Sequence, residues 1–106
     1  MNFIEFNCLL KALKLMSPGQ RRAFFELATI NQMRTFKEAC YNMVKNSKLK
    51  SHQLRLLAKT YGPTIKVLAS RSIPLKKKRA LLVQKGGFLG ALLPVLASIV
   101  TSLISK

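Results

Sequence analysis

The sequence predicts an all-α protein, a small helical bundle with one basic helix and a long apolar C-terminal helix. Apolar residues recur at three- and four-residue steps through most of the 106 residues, whereas no run alternates with period two. Ser-Pro-Gly at 17–19, Gly-Pro at 62–63 and Gly-Gly at 86–87 punctuate that periodicity into helix-length pieces. With almost half of its residues hydrophobic, the chain can close a core. Its length suits one small helical domain, residues 1–72, followed by a basic segment and an apolar helix over 73–106.

Phe3, Phe6, Leu10 and Leu13, with Leu9 and Met16 beside them, define a first helix over residues 2–16. Ser17 has the chemistry of an N-cap, Pro18 fits the first helical position, and Gln20 stands where a capping-box partner belongs. The second helix therefore starts at Pro18; it runs to Ala28 and offers Phe24, Phe25 and Leu27 for burial, Arg21 and Arg22 to solvent. A third helix, Ile30 to Lys45, carries Ile30, Met33, Phe36, Cys40, Met43 and Val44 on one stripe. After the polar, basic stretch 46–50, Ser51 caps a fourth helix. Its stripe of Leu54, Leu57, Ala58, Tyr61, Ile65 and Leu68 keeps register through Gly62-Pro63, which predicts one kinked helix. Leu75 to Lys85 forms a basic helix closed by Gly86 as a left-handed C-cap. Phe24, Phe36, Leu57 and Leu68 are the expected core anchors.

The last segment has two faces. Read as a helix, Phe88, Leu89, Leu92, Leu93, Leu96, Ile99, Val100, Leu103 and Ile104 share one side. Gly90, Ala91, Pro94, Ala97, Ser98, Thr101, Ser102 and Ser105 share the other, where small residues admit close approach of a second helix. Residues 86–105 carry no charge, and their number just reaches that needed to span a bilayer. Two readings follow: a membrane-directed or partner-docking helix, which the length favours, and a central core helix that is apolar because it is buried. The first predicts that Phe88 to Ile104 inserts its large-residue face into lipid.

Charge sets this chain apart. Nineteen Lys and Arg stand against three Glu and no Asp, for a net charge of +16. All three acids, Glu5, Glu26 and Glu38, precede residue 39, so everything after Glu38 is free of acid. That asymmetry points to a polyanion, nucleic acid or an anionic lipid surface. Lys45, Lys48, Lys50, Arg55, Lys59, Lys66, Arg71, Lys76, Lys77, Lys78, Arg79 and Lys85 supply the cation density. Between Tyr41 and Phe88 only Tyr61 is aromatic, so stacking on single-stranded bases has little support, and sequence-independent binding of double-stranded DNA fits better. Pro74-Leu75-Lys76-Lys77-Lys78-Arg79 also reads as a nuclear-import signal.

Catalysis finds few candidates. General acid–base chemistry needs paired titratable groups, and one His and three Glu without shared spacing do not provide them. His52 sits in a polar helix start, and no nucleophile elbow, phosphate loop or metal-ligand spacing occurs, so the expectation is a non-enzymatic protein with no cofactor and no metal. Cys8 and Cys40 lack ligand spacing and read as reduced, partly buried small hydrophobes.

Lys85-Gly86-Gly87-Phe88-Leu89 followed by Leu92-Leu93-Pro94-Val95-Leu96-Ala97-Ser98-Ile99 is similar to the end of the adenovirus core protein precursor pX (mu). The layout of basic segment, Gly-Gly and Leu-Pro-containing apolar tail also resembles small basic proteins of adintoviruses and Polinton (Maverick) elements. The resemblance implies a virion or core-associated protein that accompanies packaged double-stranded DNA and reaches the host nucleus. It also implies that Gly86-Gly87 is a processing site for a viral cysteine protease. That protease favours Met, Ile or Leu two residues before the first Gly, where this chain has Gln84. The expected function is thus DNA binding through a basic surface, with the apolar helix active on a membrane or docked to a capsid protein. The alternative is a membrane-anchored or membrane-disrupting basic effector that binds anionic lipid.

Overall fold

The computed structural model describes residues 1–45 and 52–104, which form α1 (Phe3–Leu15), α2 (Pro18–Leu27), α3 (Ile30–Lys45), α4 (His52–Ala69), α5 (Leu75–Gln84) and α6 (Gly86–Ile104). No strand occurs among the described residues. Each of the first three helices is started by a neighbouring side chain. Asn2 Oδ1 accepts from the Glu5 N–H at 2.8 Å and caps α1. Ser17 Oγ accepts from the Gln20 N–H at 3.2 Å while Gln20 Oε1 accepts from the Ser17 N–H at 2.8 Å, which is the capping box that the sequence predicts. Thr29 and Gln32 repeat the device before α3, at 3.1 and 2.9 Å. Such reciprocal bonds satisfy two of the four amide donors that a helix start leaves open.

Three rings lock the first half of the bundle. Phe36 of α3 takes Phe6 of α1 edge-on at 6.1 Å between centroids and Phe25 of α2 at 5.4 Å. Phe36, Leu57 and Leu68 are buried as expected, but Phe25 replaces Phe24 as the anchor of α2, and Phe24 lies half-buried against it. The α3 stripe is narrower than its sequence suggests: Met33, Phe36, Cys40 and Met43 are buried, while Ile30 and Val44 at its ends face solvent.

The helix around which the others pack is α6. Phe88, Leu89, Leu92, Leu93, Leu96, Ile99 and Val100 are all buried, together with Val95. They meet α1 over the most extensive interface in the fold, and α2, α3 and α4 on other sides. Leu103 is partly buried and Ile104 exposed at the end. The large-residue face expected to enter lipid is therefore covered by protein, and the core-helix reading describes this fold. Among the described residues no helix is long and apolar enough to cross a membrane. One buried cluster draws Phe6 and Phe36 from before residue 72 and Leu82 and Leu96 from after it.

A kink does occur beside Gly62-Pro63, but it joins two helical stretches within α4 where one kinked helix was expected. Tyr61 leaves helical geometry (φ −123°, ψ 22°) within α4, and its ring lies 4.9 Å from that of Phe88. Pro63 has no N–H, so the ladder is interrupted where the bend occurs. The expected left-handed cap at Gly86 is not formed: Lys85 is the C-cap of α5 (φ −109°, ψ 58°), and Gly86 already belongs to α6. Ser51 lies outside the described residues.

Candidate polyanion-binding surface

The exposed cations follow from where each helix turns its core stripe. Burial of Leu57, Ile65 and Leu68 points Arg55, Lys59 and Lys66 of α4 outward, with Arg55 and Lys59 one turn apart on the same side. Lys45 ends α3, Arg71 lies in the link after α4, Lys76 and Lys77 begin α5, and Lys85 separates α5 from α6; all are exposed. No acid occurs in α4, α5 or α6. Like charges at this density repel one another, and a bound polyanion relieves that repulsion while releasing its own counterions. Lys48 and Lys50 lie outside the described residues.

One cluster joins α3 to the link after α4. The Arg71 guanidinium carbon stands 4.2 Å from the centroid of the Tyr41 ring, and Lys45 Nζ stands 5.5 Å from it. Arg71 Nη2 also lies 3.8 Å from Glu38 Oε2, whose other oxygen is 3.9 Å from Lys37 Nζ. Glu38, Tyr41, Asn42, Lys45 and Arg71 line an open pocket of about 410 Å³. Such long, partly exposed ion pairs contribute little to stability, but ring and carboxylate together orient the Arg71 fork. An aromatic residue is thus interleaved with the cations, contrary to the sequence reading. The Tyr41–Lys45 spacing of one helical turn was a signal for half of it; Arg71 has no sequence mark.

The basic run of α5 divides in two. Lys76 and Lys77 are solvated, but Lys78 is 1% exposed and its ammonium donates to the Ser70 carbonyl. Burial lowers its pKa from the usual lysine value, and Lys37 adds to that effect against the opposing pull of Cys40 and Glu38. Arg79 Nη1 donates to the Phe25 and Glu26 carbonyls at 3.3 and 3.1 Å, at the electronegative end of α2. Arg21 does the same for α1, with Nε 2.8 Å from the Leu13 carbonyl oxygen and Nη2 3.2 Å from that of Lys14. Lys78 and Arg79, both expected at the nucleic-acid interface, are thus held by the fold itself. The reason is nonlocal: a cation in a run becomes structural when folding brings open carbonyls beside it.

Gly86 and Gly87 open α6, so the expected processing site lies in a helix's first turn. Cys8 is exposed and Cys40 buried, and both are free thiols. Among the described residues no three His, Cys, Asp or Glu are grouped as metal ligands would be. Comparison with protein-family models, curated proteins and solved structures finds no match to this chain.

Proposed function

We propose that this chain is a non-enzymatic, core-associated protein that holds double-stranded DNA through a basic surface formed by Lys45, Arg55, Lys59, Lys66, Arg71, Lys76, Lys77 and Lys85. The observation that carries the reading is the solvent exposure of these eight cations on a stretch of chain that contains no acid. Contacts of this kind neutralise phosphates without reading bases, so affinity depends on salt and hardly on sequence. The resemblance of the Gly-Gly and apolar segment to adenovirus-type core proteins supports a place beside packaged DNA. The anionic-lipid reading has less support, because the apolar residues it needs are packed inside the bundle.

The test is duplex binding across a salt series. Log affinity should fall linearly with log salt, and the slope should shrink by about 0.9 for each phosphate contact removed. Lys76→Gln and Lys77→Gln should each reduce it on every duplex sequence, whereas Lys78→Met should leave it unchanged. Salt-insensitive binding, or strong preference for one sequence, contradicts the proposal.

A further inference from the structure

We propose that the groove between α4 and α6 docks an amphipathic helix of an acidic partner protein. The groove, about 320 Å³, runs between Leu56, Thr60 and Tyr61 on α4 and Gly90, Ala91 and Pro94 on α6. Its α6 wall is low because those three residues carry little side chain, and they face solvent on the side of α6 opposite its buried stripe. Its α4 wall carries Leu56, a large apolar residue that is 52% exposed. A recess of this shape accepts large side chains repeated along one face of a helix.

Charge selects the occupant. Arg55 and Lys59 stand exposed on the outer side of α4, each one residue before a lining residue. At the Gly90 end the guanidinium of Arg21 is so placed that a Cβ on Gly90 would meet Nη1 at 3.5 Å. Neither α4 nor α6 bears an acid to offset these cations. A second copy of a chain with net charge +16 is repelled from such a rim. A bilayer engages protruding side chains, and here the apolar surface is recessed. Carboxylates flanking the apolar face of a partner helix would meet Arg55 and Lys59, which speeds encounter and fixes orientation.

The inference does not rest on DNA binding and is tested separately from it. A labelled peptide with Leu at i, i+4 and i+7 and Glu on its other faces is titrated with the full chain, beside a scrambled peptide of identical composition. The expected result is at least ~10-fold tighter binding of the amphipathic peptide, equivalent to about 1.4 kcal/mol. Ala91→Arg fills the groove at an exposed helical position while adding a further positive charge. It should abolish the preference without weakening duplex binding. Leu56→Gln probes the α4 wall independently, should Ala91→Arg not fold, and should also reduce the preference. Equal binding of the two peptides overturns the proposal, as does either variant, once folded, that retains the full preference.

Discussion

Arg79 Nη1 lies 3.1 Å from the carbonyl oxygen of Glu26, so the basic helix α5 is pinned to the end of α2 by one of the cations that its sequence offers to solvent. Arg79→Gln should cost about 1–2 kcal/mol in chemical denaturation, at the lower end for charge-assisted hydrogen bonds because the site is partly exposed. Lys76→Gln should cost almost nothing. Equal stability of the two variants contradicts the capping role.

Lys78 supplies a pH-dependent test. Its folded pKa is lowered, chiefly by burial, so between that value and about 10.4 the unfolded chain binds the proton that the folded chain has released. Stability from this group therefore rises with pH across that window. Cys40 works in the opposite sense, because burial pushes its thiol up to about 12 and its contribution falls as pH climbs past the ordinary thiol range. Comparing wild type with Lys78→Met removes most of the thiol's effect: the stability of wild type relative to the variant should increase between pH 7 and 10. A flat difference would show that Lys78 is solvated.

The two thiols should react differently. A thiol-specific reagent at pH 8 should label Cys8 rapidly in the native protein and Cys40 only after denaturation, since the thiolate is the reactive form and burial suppresses it at Cys40. Mass spectrometry of the labelled protein reads both sites. Rapid double labelling would mean that α3 does not hold Cys40 inside.

The apolar helix gives the most severe prediction. Leu92 and Leu96 are fully buried, so Leu92→Ala should cost about 2–5 kcal/mol, and Leu96→Lys should abolish the fold by placing an unpaired charge in the core. Circular dichroism decides: a Leu96→Lys protein with native helicity and a cooperative transition would return α6 to the role of an appended membrane helix.

Local chemistry made much of this legible in the chain. Ser17 and Gln20 were readable as a capping box because both partners lie within four residues, and Gly62-Pro63 was readable as a kink because the apolar register crosses it. Thr29 and Gln32 offered the same signal before α3. The stripe from Phe88 to Val100 was readable as a face, but the same period describes a helix facing lipid and one facing protein, and only the complementary stripes of α1, α3 and α4 distinguish them. At the candidate surface, Lys76 and Lys78 carry the same side chain two residues apart. Their fates diverge because Ser70, eight residues before Lys78, presents a carbonyl to one of them.

The interface between α1 and α6 joins elements separated by residues 16–85. Individual helices form within about a microsecond, but this docking must await closure of nearly the whole intervening chain, whose entropic cost precedes any reward from contact. Folding should consequently be slower than in bundles whose neighbours in sequence are neighbours in space. Until α6 arrives, its Leu side chains stay uncovered on a highly charged chain, so the rate of this one docking step sets how long that apolar surface is exposed.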